Sequence, residues 1–404
     1  MPVFTPYYNL WNQNVYTRRE PFIERPWQMA AGSTSGAAVA VGSRSFAGLT
    51  RPGDGEFRWD GHSLEVVAAA DEIFWREDTD QDAAWRDYHA ALSLPRPSAP
   101  FGQRPEYCTW VEQVRRTPAG QLPDAALSVP LIEEILDAVD AQGWPRGRFT
   151  IDEGWGPRHG PGGYGSWEPR LDLARLAERI SARGHVPGLW LAPALICPDS
   201  VAARELPEAV GARVAFPGET PWNRFHYLRP GAASAILIER LFRRAWNWGF
   251  RKMKLDIFYG SRMDTLALAR QCREAAAKLP GVVELEGHVS EPFIAQYFDV
   301  IRLNDVHISR DHPAWRSVVA GHYEVCAKSA PQHMLCLDHI GGNHAAVGPE
   351  DFAEHARIMG GQLDRGYPVV GLLPMSQGES VTEAVTALLR SAEERDAAER
   401  SRTL

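Results

Sequence analysis

The 404-residue sequence lacks long hydrophobic runs, a surplus of basic residues and a regular cysteine pattern. No apolar run approaches the ~18 residues that a membrane span requires, and Met1 is not followed by a basic and then an apolar segment. We therefore expect a cytoplasmic protein with no membrane partner. The 43 Lys and Arg residues against 51 Asp and Glu give a formal net charge of −8, which argues against nucleic-acid binding.

Cysteine is scarce and irregularly placed. The five cysteines lie at positions 108, 197, 272, 326 and 336, an odd number without the spacing of a metal-binding motif. Free thiols in a reducing compartment are the expected state.

The composition that is present is ordinary for a globular protein, with 44% hydrophobic and 23% charged residues. Tryptophan is abundant at 14 residues, which hints at stacking surfaces for a ring-shaped ligand, although tryptophan also fills hydrophobic cores. The chain length suits one large α/β domain with a smaller appendage.

The first hundred residues differ from the rest of the chain. A turn-rich segment at 51–55 precedes Glu56–Asp60, in which aromatic residues alternate as on a half-buried strand. Residues 81–94 have helical spacing, and the proline-rich segment 95–100 is typical of a linker. The sequence thus predicts a small β-rich region with a connecting helix over 1–100 and a larger domain over 101–404.

From about residue 105, short apolar segments alternate with helical ones, which is typical of repeated βα units around a parallel sheet. Eight such units predict a TIM barrel, a closed (β/α)8 fold of the α/β class. A doubly wound open sheet is the alternative, but no glycine-rich phosphate loop follows the first strand. The predicted strands are 107–113, 148–154, 186–193, 252–257, 282–288, 300–305, 333–340 and 368–374.

Polar side chains stand at the predicted carboxyl ends of these strands, where TIM barrels carry their chemistry. A single carboxylate at a strand end is as often a helix cap or an ion-pair partner as a functional residue. Carboxylates on several strands would instead converge on one mouth, where like charges raise some pKa values. Glycoside cleavage by two carboxylates needs this arrangement, and it needs no metal or other cofactor. The residues are Asp152, Glu153, Asp256, Glu286, His288, Asn304, Asp305, Asp338 and His339.

Several motifs resemble those of the α-galactosidase-type glycoside hydrolases, the superfamily of families 27, 31 and 36. Ile151–Trp155 resembles their Asp-Asp-Gly-Trp motif, and Gly188–Pro193 resembles their Gly-Leu-Trp-x-x-Pro motif. Lys254–Asp256 is similar to the nucleophile motif Lys-Trp-Asp, and Arg302–Asp305 is similar to the strand-six segment that ends in the acid/base residue. Asp338–Gly342 resembles the Asp-Ile-Gly-Gly motif of family 31. The motifs follow the order of the superfamily.

The sequence also departs from the family pattern. Glu286–Val289 replaces the usual Cys-Ser-Gly-Gly on strand five. The region before the predicted barrel is too short for the large N-terminal β-sandwich of family 36, and no C-terminal β-domain is expected after the eighth helix. The resemblance therefore implies the type of reaction more firmly than the identity of the sugar.

The resemblance implies a retaining α-glycosidase for terminal sugars of the α-galactoside type, with Asp256 as the nucleophile and Asp305 as the general acid/base. Lys254 lies two residues before Asp256 on the same face of its strand, where its charge would keep Asp256 ionised. An internal ion pair is the structural alternative for these two residues. Arg302 lies three residues before Asp305, so strict alternation places the two on opposite faces unless the strand has ended.

The other site residues are assigned to substrate binding. Asp152 and Glu153 would hold sugar hydroxyls through charge-assisted hydrogen bonds, and Glu286 and His288 would face the 2-substituent. Tryptophan rings would pack on the apolar face of the sugar, although burial in the core explains them equally well. The full set is Asp152, Glu153, Trp155, Trp190, Lys254, Glu286, His288, Arg302 and Asp338.

Three other functions stay open. A transglycosylase of the superfamily would transfer the sugar to another sugar hydroxyl instead of water. A hydrolase for α-glucosides or α-N-acetylgalactosaminides would differ in the sugar it accepts, and a non-catalytic relative would only bind sugar. In every case the partner is a carbohydrate, and association into a homo-oligomer stays open.

Overall fold

The chain begins with small antiparallel sheets and continues into a closed barrel of parallel strands. The computed structural model describes residues 3–4, 32–34, 36–42, 45–60, 63–69, 72–118, 123–156, 167–214, 225–258, 260–303, 315–340 and 349–403.

Seven strands form the N-terminal sheets: β1 (Val3–Phe4), β2 (Gly32–Thr34), β3 (Ala38–Val41), β4 (Ser45–Leu49), β5 (Glu56–Trp59), β6 (Leu64–Val67) and β7 (Ile73–Glu77). One sheet has the order β1-β3-β4-β7 and the other β2-β5-β6. Helix α1 (Gln81–Leu92) packs on the first sheet, where the Tyr88 hydroxyl donates to Leu49 O at 2.7 Å. The predicted small β-rich region before the barrel is thereby confirmed.

Eight parallel strands close the barrel, each paired with the next in chain order and the last paired with the first. They are β8 (Glu106–Cys108), β9 (Arg148–Ile151), β10 (Val186–Leu191), β14 (Lys252–Leu255), β15 (Glu284–Gly287), β16 (Val300–Arg302), β17 (Met334–His339) and β18 (Gly366–Val370). Between β10 and β14 lies a small sheet of β11 (Leu195–Ile196), β12 (Val210–Arg213) and β13 (His226–Leu228). The predicted TIM barrel is confirmed.

Helices cover the outside of the barrel and bury an apolar face against it. Serine or aspartate side chains cap several of them, such as Ser128, Asp172 and Ser261. Within the described ranges, no helix combines the length and apolarity needed to cross a bilayer. The helices are α2 (Trp110–Arg116), α3 (Val129–Ala141), α4 (Leu173–Ala182), α5 (Val201–Glu205), α6 (Ala232–Asn247), α7 (Arg262–Ala277), α8 (Pro292–Ala295), α9 (Trp315–Ser329), α10 (Pro349–Gly360) and α11 (Glu379–Thr403).

The barrel strands end earlier than the sequence predicts. The predicted first strand, 107–113, is wrong beyond Cys108, because α2 begins at Trp110 and the Gln113 N–H already bonds to Thr109 O at 3.0 Å. β9 ends at Ile151, β14 at Leu255 and β15 at Gly287. Polar residues of the motifs therefore stand in the turns just beyond these strands.

Buried charges occupy the inside of the barrel below its mouth. We call Glu106, Arg148, Lys252, Glu284 and Glu286 the lower layer; each is at most 1% exposed. Arg148 pairs with Glu284 at 2.5 Å, and Lys252 pairs with Glu286 at 2.7 Å and with Glu106. Every cation of this layer is thus in direct contact with a carboxylate, as buried charges require.

Candidate active site

Asp256 lies at the barrel mouth, directly after β14. Its backbone N–H donates to Leu191 O at 2.8 Å, which extends the ladder between β10 and β14. Its carboxylate accepts two hydrogen bonds from neutral groups, from Trp190 Nε1 at 3.0 Å and from the Ile257 N–H at 2.6 Å. Each carboxylate oxygen has two lone pairs. The carboxylate is therefore fixed in orientation and keeps acceptor capacity.

The backbone beside Asp256 is strained. Ile257 has a φ of +57°, a left-handed conformation that costs a β-branched residue about 1–3 kcal/mol. Asp338, near the end of β17, has a φ of +60°. Such strain persists only where the surroundings enforce it, and it is typical of functional sites.

Positive charges keep the Asp256 carboxyl ionised. Burial raises its pKa, but His288, followed by Arg302 and Lys254, outweighs burial and holds the pKa below its ordinary value. Arg302 Nη1 lies 3.8 Å from Asp256 Oδ2, too far for a hydrogen bond. The Asp256 side chain is 13% exposed, against 3% for Asp152 and 6% for Asp338. Asp256 is therefore the most accessible of these three acids.

Asp152 and Lys254 form a buried ion pair at the mouth. Lys254 Nζ lies 2.5 Å from Asp152 Oδ2, which also accepts from Cys108 Sγ at 3.1 Å. The Glu153 N–H donates to the other oxygen at 2.8 Å. Burial raises the pKa of Asp152, but Lys254, together with Arg302 and the Glu153 N–H, outweighs burial and lowers that pKa. The direct partner of Lys254 is thus Asp152, and its charge reaches Asp256 from a longer distance.

Arg302 connects two other mouth residues. Its Nε and Nη2 donate to Asp338 Oδ1 at 3.2 and 3.1 Å, and its Nη1 donates to His288 Nε2 at 2.6 Å. Because arginine has no acceptor, His288 Nε2 is the acceptor in this contact. His339 Nδ1 lies 2.9 Å from Asp338 Oδ1. We call Asp152, Lys254, Asp256, His288, Arg302 and Asp338 the upper layer.

The two predicted tryptophans have different surroundings. Trp190 contacts the Asp256 carboxylate directly through its ring N–H. Trp155 packs edge-on against Trp248, with ring centroids 6.0 Å apart, and donates its ring N–H to Trp190 O at 2.8 Å. Trp155 therefore supports Trp190 from the core side.

Glu286 lies one layer deeper than its place in the sequence suggests. It is fully buried, bonds to Lys252 and accepts from the Tyr367 hydroxyl at 3.1 Å. Glu153 is buried beside Asp152 at 4% exposure. Asn304 and Asp305, the predicted end of strand six, lie outside the described residues.

Some contacts of the site are not indicated by the sequence. The Ile257 amide and the Cys108 thiol both hold mouth carboxylates. A strained isoleucine has no sequence signal, because isoleucine disfavours that conformation. Cys108 could have been found from its place at the end of β8.

One group among the described residues has the composition of a metal site: Glu106, Glu286 and Cys336, with ligand atoms within 4.8 Å of one another. The Lys252 ammonium pairs with both carboxylates of this group. Lys252 thus already supplies the positive charge that a metal ion would bring there.

The described residues form a closed parallel barrel with carboxylates, cations and tryptophan at its mouth. The chain is similar to TtGalA, an α-galactosidase from Thermus thermophilus in complex with p-nitrophenyl α-D-galactopyranoside, with TM-score 0.66, 19% identity and coverage of 92% of this chain and 80% of that chain. It is also similar to the GH36 α-galactosidase AgaB from Geobacillus stearothermophilus, with TM-score 0.60, 11% identity and coverage of 92% and 58%.

A third similar structure is the GH31 dextranase FjDex31A of Flavobacterium johnsoniae, with TM-score 0.59, 11% identity and coverage of 88% of this chain and 48% of that chain. No family model matches the sequence, and no curated protein matches it. At these identities the likeness establishes the fold, and it agrees with the barrel expected from the motifs.

Proposed function

We propose that the protein is a retaining α-glycosidase that hydrolyses terminal α-galactoside-type sugars, with Asp256 as the nucleophile and Asp305 as the general acid/base. The state of Asp256 carries the proposal: it is ionised, oriented by two neutral N–H donors and more accessible than Asp152 and Asp338. The order of the motifs and the fold shared with α-galactosidases support the sugar class.

The reaction takes two steps. An Asp256 oxygen attacks the anomeric carbon and forms a glycosyl ester, while Asp305 gives its proton to the leaving oxygen. Water then attacks the same carbon, loses a proton to Asp305 and releases Asp256 as a carboxylate. The role of Asp305 rests on the motif Arg302–Asp305.

The other charges of the upper layer suit the binding of sugar hydroxyls. Lys254 and Arg302 keep Asp152 and Asp338 ionised, because each pair is in direct contact. Ionised carboxylates accept strong hydrogen bonds from hydroxyl groups. These pairs would therefore orient the sugar with its anomeric carbon toward Asp256.

The test is a panel of p-nitrophenyl glycosides that covers α- and β-galactosides, α-glucosides and α-N-acetylgalactosaminides. We expect turnover of the α-galactoside, with α-galactose as the first product in the proton NMR spectrum. β-Galactose as the first product would contradict the retaining mechanism. Absence of turnover with every α-glycoside would contradict catalysis and favour the sugar-binding relative.

Hydrolysis and sugar transfer share the first step, so the same panel is repeated with an excess of acceptor sugar. Hydrolysis predicts free galactose as the main product under both conditions. Predominant transfer products with acceptor present, and little free galactose, would identify a transglycosylase instead.

A further inference from the structure

The segment after β15 connects the barrel mouth with the N-terminal sheets. At one end, His288 accepts from Arg302 at 2.6 Å and lies 3.7 Å from Asp256 Oδ2. Five residues further on, Phe293 is 3% exposed and belongs to the hydrophobic core of the N-terminal sheets. All residues from 283 to 295 are buried. Packed segments of this kind transmit displacement, because interiors have few voids to absorb it.

Phe293 inserts into a core built almost entirely by another part of the chain. The buried residues around it are Ala37, Val39, Val41, Ala47, Leu49, Phe57 and Trp59. Phe293 lies in the short helix α8, and the Glu291 side chain caps this helix by accepting from the Ile294 N–H at 2.9 Å. The Phe293 side chain thus fixes one end of the segment to the N-terminal sheets.

Arg262 makes a second connection at the same place. Its Nε and Nη2 donate to Glu291 Oε1 at 3.2 and 3.1 Å, and its Nη1 donates to Gly53 O of the N-terminal region. The guanidinium also lies 5.8 Å from the centre of the Phe293 ring. Arg262 is 6% exposed and Glu291 is fully buried. One buried arginine therefore holds both the N-terminal region and the segment that carries His288.

We infer that Phe293 and Arg262 are positioning residues for the active site: through them the N-terminal sheets fix His288 against Arg302. The kinetic part of this inference rests on the proposed function. A fixed His288 engages Arg302 Nη1, which lies 3.8 Å from the nucleophile. If His288 moves away, Arg302 becomes able to pair directly with Asp256 and weaken its attack. The loss then falls on kcat, whereas KM changes little.

The test compares Phe293→Leu with Phe57→Leu. Both substitutions remove the same atoms from the same core, but Phe57 lies on β5 and Phe293 adjoins the mouth segment. We expect similar decreases in melting temperature, with kcat reduced about tenfold by Phe293→Leu and unchanged by Phe57→Leu. Equal kcat values in the two variants would overturn the inference. If Phe293→Leu does not fold, Phe293→Met replaces it, because volume-conserving changes are tolerated best.

A spectroscopic measurement keeps this test independent of catalysis. The His288 imidazole signal, assigned by its loss in His288→Gln, is followed in 13C-histidine-labelled protein. We expect the signal to shift in Phe293→Leu and in Arg262→Gln, to move less in Arg262→Lys, and to stay in place in Phe57→Leu. An unchanged signal in Phe293→Leu and Arg262→Gln would overturn the inference. A wild type without activity on any glycoside would instead sink the proposed function and leave this comparison valid.

Discussion

The two layers of charge inside the barrel differ in how their charges are compensated. In the lower layer, Arg148 and Lys252 each contact carboxylates directly, and nothing there is accessible to solvent. In the upper layer, Asp152 and Asp338 are in direct ion pairs, whereas Asp256 accepts hydrogen bonds from neutral donors and is partly exposed. Both layers are buried and ionic, so burial of charge alone does not mark a catalytic site.

The difference shows that a reactive carboxylate must be ionised and must also keep oxygen lone pairs that no ion pair occupies. Burial lowers the effective dielectric, which strengthens every pair and makes an unpaired charge expensive. The lower layer uses this to join the strands β8, β9, β14 and β15. In the upper layer, neighbouring charges outweigh the effect of burial and keep Asp256 ionised without occupying its oxygens.

The largest effect is expected for Asp256→Asn. The amide cannot form the glycosyl ester, so kcat should fall by about 10⁴-fold or more while the melting temperature changes little. Azide or formate should restore part of the rate in Asp256→Gly, because the small anion replaces the missing nucleophile. Asp137→Asn, at a 68% exposed carboxylate on a barrel helix, serves as the control. More than a few per cent of residual activity in Asp256→Asn would place the nucleophile elsewhere.

Lys252 and Lys254 lie on the same strand, β14, but Lys252 belongs to the lower layer and Lys254 to the upper layer. The variants Lys252→Met and Lys254→Met therefore compare the two layers. Each substitution leaves buried carboxylates without their cation, which costs about 3–5 kcal/mol of unfolding free energy in urea titrations. Lys254 also lowers the pKa of Asp256. Lys254→Met should therefore move the acidic limb of kcat/KM to higher pH, whereas Lys252→Met should leave that limb in place. Identical pH profiles would remove the functional distinction between the layers.

Arg302→Gln tests the arginine whose guanidinium lies 3.8 Å from the Asp256 carboxylate. Arg302 lowers the pKa of both Asp256 and Asp338. Loss of the Arg302 charge should raise the pKa of Asp256. Because the nucleophile must be ionised, the acidic limb of the kcat/KM profile should shift to higher pH, and kcat/KM should fall by about 100-fold. Arg302→Lys should keep the acidic limb near its wild-type position, since it retains the charge. An unshifted limb in Arg302→Gln would contradict the assigned role.

The smallest effect concerns a buried histidine outside both layers. Burial lowers the pKa of His355 to about 4 from the ordinary value of 6.5. Between these values the unfolded chain binds more protons, so the stability falls as the pH falls from 6.5 to 4. His355→Gln should reduce this slope by about 1 kcal/mol per pH unit, below the one-proton limit of about 1.4, measured by urea unfolding at pH 7 and pH 5. An unchanged slope would show that His355 does not contribute.

The barrel and its mouth acids can be predicted from the sequence because they follow from local patterns. Strand periodicity, alternating helices and motif order all lie within short windows, and they correctly indicate the eight-stranded barrel. The depth of Glu286 cannot be predicted in this way. Residues 284, 286 and 288 all alternate inward, and only the end of β15 at Gly287 decides which of them stands at the mouth.

Side-chain contacts between residues that are far apart in the sequence also cannot be predicted from local patterns. Lys254 pairs with Asp152, which lies 102 positions earlier, because β9, β10 and β14 are neighbours in the barrel. The place of Phe293 in the N-terminal core depends on how two distant parts of the chain pack. No pattern within a single window contains these contacts.

The central claim, that Asp256 forms the glycosyl ester, is tested most directly by trapping that ester. With a 5-fluoro-α-galactosyl fluoride as the substrate, the glycosyl ester is hydrolysed slowly and accumulates. Mass spectrometry of the digested protein then locates the labelled residue. The account predicts one fluorogalactosyl group per chain, on the peptide that contains Asp256, and no label in Asp256→Asn. A label on another carboxylate, or turnover of α-galactosides without any covalent species, would contradict it.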